Sequence, residues 1–142
     1  MTRIDFYTHV QDKLPVAIQL ISKAWDRGLN VWVRVADDAA AARLDQGLWT
    51  HPAAGFVPHC RSDHALASET PVIIDAGARV PSTDQVLINL HPERPEYFSR
   101  FERLIEIVSL DDQDRQQARE RFVFYRDRGF EIHSHDLSQS KI

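Results

Sequence analysis

The feature that most constrains this chain is its alternation of short apolar runs with longer stretches of helical spacing. Ile4, Phe6 and Thr8 alternate with polar neighbours and predict a first strand. Asp12 is placed to cap a helix in which Leu14, Ala17, Ile18, Ile21 and Trp25 recur at helical spacing, and Gly28 is placed to end it. Val31 to Val35 reads as a second, buried strand. Asp37 or Asp38 then caps a helix with Ala40, Leu44 and Leu48 on its inner face. A strand–helix–strand–helix order is the mark of a parallel or mixed sheet, because parallel neighbours need a long crossover and a helix is the usual one.

The rest of the chain continues the theme less regularly. Trp49 to Pro81 is rich in proline, glycine and polar residues and predicts loops around one strand, Pro71 to Asp75. Val86 to Leu90 is a further buried strand, a short helix is expected around Pro95 to Phe101, and Ile105, Ile107 and Val108 belong to another strand. Asp111 to Arg128 is the longest polar helix, stopped at Gly129, after which Phe130, Ile132 and His133 return as a last strand. No linker or repeat interrupts the 142 residues. The expectation is therefore one α/β domain over residues 1–142, Rossmann-like, with a mostly parallel sheet and helices on both faces.

Several function classes fall away on chemistry. The turn from Tyr7 to Lys13 has no glycine, so it lacks the close backbone approach a dinucleotide loop requires. Neither a phosphate-binding GxxxxGK[ST] nor a Gly-x-Ser-x-Gly nucleophile elbow occurs, and the chain has only five glycines. His59, Cys60 and His64 lie close together, but adjacent ligands chelate poorly and a structural zinc needs four. His133 and His135 share a face of the last strand with no matched third ligand. The expectation is no metal, no cofactor and no catalytic residue. A net charge of −4 gives no global pull toward nucleic acid or anionic lipid, the single Cys60 excludes an intrachain disulfide, and no apolar run approaches a membrane span. With no signal-peptide core after Met1, a cytoplasmic protein without membrane association is expected.

The late helix carries the most information. At about 100° per residue, Ala118, Phe122 and Tyr125 form an apolar stripe. Arg115, Arg119 and Arg126 cluster beside it, and Arg121 and Arg128 flank its other side. Guanidinium groups along an aromatic edge suit a peptide with acidic residues, an apolar side chain and a free terminal carboxylate. The same pattern also describes a solvated helix whose arginines pair with Asp111, Asp112, Asp114 and Glu120, with Phe122 and Tyr125 in the core.

Two blocks of sequence point further. Leu44-Asp45-Gln46-Gly47-Leu48-Trp49 followed by Phe56-Val57-Pro58-His59 resembles the middle motif of chi subunits of bacterial DNA polymerase III. Ala118-Arg119-Glu120-Arg121-Phe122, Tyr125-Arg126 and Gly129-Phe130 resemble that family's C-terminal helix and last strand, and Phe6-Tyr7 and Val86 to Leu90 fit as well. The family often has tyrosine where Phe122 stands, so contacts of that hydroxyl are lost here while aromatic packing survives.

The resemblance implies a non-catalytic clamp-loader accessory, associated with the replisome and only indirectly with DNA. Its implied partners are the small psi subunit and the acidic C-terminal tail of single-stranded-DNA-binding protein. Carried onto this sequence, the tail site falls on Arg115, Arg119, Phe122, Val108, Tyr125 and Arg126, with Arg119 grasping the terminal carboxylate. The psi face falls on Trp49, Phe56, Val57 and Pro58. For Trp49 the competing expectation is a core tryptophan that closes the second helix. A small α/β enzyme, with Asp37 or Asp38 as its carboxylates, and a direct single-stranded nucleic-acid binder that stacks bases on Trp32, Trp49 and Phe122 are the other function classes.

Overall fold

The computed structural model describes residues 1–50, 56–77 and 79–139. Part of the loop reading over Trp49 to Pro81 therefore lies outside the described residues, at 51–55 and 78. The elements run β1 (Arg3–Val10), α1 (Lys13–Asp26), β2 (Val31–Arg34), α2 (Asp38–Thr50), β3 (His59–Arg61), β4 (Val72–Asp75), β5 (Val86–Asn89), β6 (Arg103–Ser109), α3 (Asp112–Asp127) and β7 (Glu131–Asp136). All seven strands form one parallel sheet in the order β3-β4-β2-β5-β6-β1-β7. The α/β, Rossmann-like expectation holds.

Strand order explains where the helices go. The β1-α1-β2 and β2-α2-β3 crossovers move toward the β3 edge, whereas β6-α3-β7 moves toward the β7 edge. Right-handed crossovers running in opposite directions must cover opposite faces of the sheet. Accordingly, Ile18, Ile21, Leu44 and Leu48 pack on one face with Val31, Val33, Ile74 and Ile105. Ala118 and Tyr125 pack on the other with Phe6, Trp32, Leu87 and Leu104. Central strands buried on both faces read as continuous apolar runs, as β2, β4 and β5 do.

Local signals set most boundaries. The Asp12 carboxylate accepts from Leu14 N–H at 3.1 Å, Asp37 accepts from Ala40 N–H at 2.8 Å, and Asp111 accepts from Asp114 N–H at 3.0 Å, so each of the three helices has its acidic N-cap. Gly28 and Gly129 end α1 and α3 with φ of 73° and 79°, a region that glycine enters without strain. Gly47 sits inside α2 for a different reason: a β-carbon there would fall 2.6 Å from Ile18 Cδ1, so the missing side chain lets α2 close onto α1.

Three expectations need correction. His59 and Cys60 lie on β3, an edge strand hydrogen-bonded to β4, rather than in a loop. The helix expected over Pro95 to Phe101 is only a single 3₁₀ turn at Phe98–Arg100, and Phe98 and the following Phe101 join α3 in covering that face of the sheet. The middle of β1's polar half does not face solvent: Asp5 is fully buried, where Arg103 Nε donates to it at 2.8 Å and His135 Nε2 lies 2.9 Å from it. No helix among the described residues is long and apolar enough to cross a membrane.

Candidate functional site

The carboxyl ends of β1 and β6, the outer side of β7 and the exposed stripe of α3 enclose an open groove of about 510 Å³. In open α/β sheets this end of the strands is the usual place for a ligand. Phe6, Val108, Ala118 and Phe122 supply its apolar floor, and Arg115, Arg119 and Arg126 stand along its rim. The Phe122 ring meets Phe6 edge-on at 5.4 Å, which fixes one side of the ring and leaves the other half-exposed toward the groove.

Charge is distributed unevenly here. Arg126 pairs with Asp127 at 3.2 Å, an exposed contact. Arg115 and Arg119 have no acidic partner among the described residues, although their helix carries Asp112, Asp114 and Glu120. Two of the four acids that the sequence offered as partners are committed elsewhere. Asp111 caps α3, while Asp114 accepts from Lys13 Nζ at 2.8 Å and from the N–H and hydroxyl of Ser109 at 2.8 and 2.9 Å. Two free guanidinium groups thus border an apolar floor in an acidic protein, a combination able to hold an apolar side chain and a carboxylate together.

Asp114 also ties the start of α3 to the start of α1. Burial raises its carboxyl pKa, but the hydrogen bonds from Lys13 and Ser109 and the Lys13 charge outweigh that, leaving it below the ordinary 3.8. A depressed folded pKa contributes stability that is full above the unfolded value and lost as pH falls through the folded one. Urea midpoints should therefore decline as pH drops from about 5 to about 3, and Asp114→Asn should flatten that decline. An unchanged acid limb in Asp114→Asn would remove this carboxylate from the account.

The structure does not bring every expected residue to the groove. Tyr125, expected on the peptide-facing stripe, is fully buried, so it supports the groove from beneath and has no surface to offer an occupant. Its hydroxyl donates to Glu106 Oε2 at 2.7 Å. Arg121, expected on the other flank of the stripe, is only 4% exposed; its Nε donates to Glu106 Oε1 at 3.1 Å and its Nη1 donates to the Pro92 carbonyl at 2.6 Å. Asn89 completes the shell around Glu106 at 3.1 and 3.2 Å. Burial pushes the Glu106 carboxyl up, while Arg121, Tyr125 and Asn89 pull it back toward the ionised form that their donors require.

Other lining residues escaped the sequence reading, notably His9 and Leu110. Between Tyr7 and Val10 the β1–β6 register slips, and His9 takes φ of 61°, unusual for a residue with a side chain. The bulge turns the His9 ring to the groove's end, where Nδ1 lies 3.0 Å from Thr8 Oγ1 and 3.1 Å from Asp136. Nothing in the local sequence signals a bulge.

A second exposed feature stands at the far edge of the sheet. Trp49 and Phe56 are 59% and 61% exposed with ring centroids 5.2 Å apart, and Trp49 also meets the His59 ring edge-on at 5.2 Å. A core tryptophan closing α2 is therefore not what the fold builds. Pro58 is half-buried beside them, but Val57 is fully buried, so its place is beneath this patch rather than on it. Five strand spacings of about 4.8 Å, roughly 24 Å, separate β3 beside this patch from β1 beneath the groove.

Phosphate chemistry has no obvious seat at the first crossover, since the Asp12 carboxylate occupies the α1 N-terminus where a phosphate would be held. Among the described residues no three His, Cys, Asp or Glu side chains converge as a metal site.

A family model described as "DNA polymerase III chi subunit, HolC" matches residues 1–133. The chain is 36% identical over 141 residues to DNA polymerase III subunit chi of Pseudomonas aeruginosa, covering 96% of this chain and 98% of that one. It is 32% identical to the Haemophilus influenzae subunit, covering 86% and 85%, and 31% identical to the Escherichia coli subunit, covering 82% and 80%.

Proposed function

Because the chain belongs to the DNA polymerase III chi subunit family, we propose that it serves as a non-catalytic adaptor in that assembly, joining the psi subunit to the C-terminal tail of single-stranded-DNA-binding protein. One observation carries the reading: Arg115 and Arg119, without acidic partners among the described residues, border the apolar groove of an otherwise acidic protein. Phe122 packs the tail's last apolar side chain, Arg119 pairs with its terminal carboxylate, and Arg115 meets acidic residues upstream. The psi subunit takes the Trp49–Phe56 patch, since exposed aromatic pairs are common interface anchors. The separation of the two surfaces supports simultaneous engagement.

Co-purification tests both halves at once. Trp49→Ala with Phe56→Ala should abolish capture of the psi subunit, leave tail-peptide affinity unchanged, and leave the thermal midpoint nearly unchanged because both side chains are mostly exposed. Retention of psi by this variant would refute the assigned face. Tight binding of single-stranded oligonucleotide by the wild type, lost with Arg119→Ala, would favour direct nucleic-acid contact instead.

A further inference from the structure

On the opposite face of the sheet from the groove, between the last turns of α1 and strands β1, β6 and β7, lies a pit of about 190 Å³. Leu20, Ala24, Leu29, Ile105 and Leu137 form its apolar wall, and Tyr7, Lys23, Arg27, Arg103 and His135 its polar one. Its floor is pre-arranged. The buried Asp5 carboxylate holds Arg103 at 2.8 Å and His135 at 2.9 Å, Arg103 Nη2 donates to Tyr7 OH at 3.2 Å, and the His135 ring stacks on Tyr7 at 4.6 Å. Burial pushes the Asp5 carboxyl up, but hydrogen bonds from His135 and Arg103 and the Arg103 and Arg3 charges together outweigh it and keep the carboxyl below its ordinary range.

The two cations from α1 are different. Lys23 and Arg27 are exposed and have no acidic partner among the described residues. Cations often sit at a helix C-terminus to satisfy its carbonyls. Here the carbonyls of Lys23, Ala24 and Trp25 already accept from the N–H groups of Arg27, Gly28 and Leu29. Asp5 neutralises one cation, Arg103, so Lys23 and Arg27 leave an excess of two positive charges even with His135 neutral.

We propose that this pit binds a phosphate dianion, with Lys23 and Arg27 closing over a group seated on Arg103. The charge excess matches a phosphate dianion, and the volume lies below the roughly 300 Å³ at which pockets for drug-sized ligands begin. The phosphate belongs either to a free inorganic anion or to the terminus of a nucleic acid strand, since both present the same group.

Titration of the full chain with inorganic phosphate, with an oligonucleotide carrying a terminal phosphate, and with its unphosphorylated counterpart separates these sources. The expected result is saturable movement of the Tyr7 and His135 ring resonances with at least one phosphate-bearing probe. Lys23→Gln with Arg27→Gln should weaken that binding by about ten-fold or more, with the thermal midpoint and tail-peptide affinity unchanged. Inorganic phosphate acting alone assigns a free anion; the phosphorylated strand acting alone assigns a strand terminus. The proposal is overturned if neither probe gives a saturable response, if the double variant responds like the wild type, or if the unphosphorylated strand binds equally well.

Discussion

Replacing Arg119 with alanine lowers the affinity of the α3 groove for an acidic peptide with a free terminal carboxylate by about ten-fold or more. A charge-assisted hydrogen bond of this kind contributes about 1.5–3 kcal/mol, and each 1.4 kcal/mol is about a factor of ten. Arg119 is exposed and has no acidic partner among the described residues, so removing it leaves no buried charge and the thermal midpoint stays within about a degree or two. Arg115→Ala has a smaller effect, because its contacts are exposed ion pairs that salt screens. Amidating the peptide's terminal carboxylate reproduces the Arg119→Ala loss, and combining the two changes costs little more than either alone, as expected for two ends of one contact. Calorimetry giving equal affinities for wild type and Arg119→Ala would move the tail site off this helix.

Arg121, two residues further along the same helix, behaves in the opposite way. Arg121→Met lowers unfolding free energy by about 3–5 kcal/mol, because it strands the fully buried Glu106 carboxylate and the Pro92 carbonyl. Restoring neutrality with Glu106→Gln in the Arg121→Met background recovers part of the loss, since an amide tolerates the missing guanidinium better than a charge does. Tyr125 and Asn89 complete the same shell, so the network clamps α3 to β6 and β5. Urea unfolding reports the effect, and a loss below about 1 kcal/mol would show that the pair relaxes to water. The contrast is diagnostic: one arginine of α3 acts on binding with little effect on folding, the other on folding first.

The sequence by itself determined the local structure. An acidic cap at Asp12 and another at Asp37 or Asp38, the stops at Gly28 and Gly129, and continuous apolar runs in β2, β4 and β5 depend on residues within a turn or two, and the folded chain keeps them, with Asp37 as the second cap. The parallel character of the sheet also follows locally, since crossovers long enough to contain helices make parallel pairing the natural outcome. The positions of Arg115, Arg119 and Phe122 along one helix face are a matter of angle alone.

Tertiary structure decided how deep each residue lies. A helical wheel places Tyr125 beside Phe122 and Arg121 on a flank, but it does not contain Glu106, which reaches both from a different element of the fold. For the same reason Asp5 appeared to be the polar half of an alternating strand until β6 and β7 supplied Arg103 and His135 on either side of it. The Phe56-Val57-Pro58 run divided between surface and core, β3 emerged only by pairing with β4, and the His9 bulge exists only against the register of β6. In a parallel sheet every strand partner is brought in by a crossover, so short-range patterns say which residues share a face while long-range pairing decides whether that face meets water, a partner or a buried carboxylate.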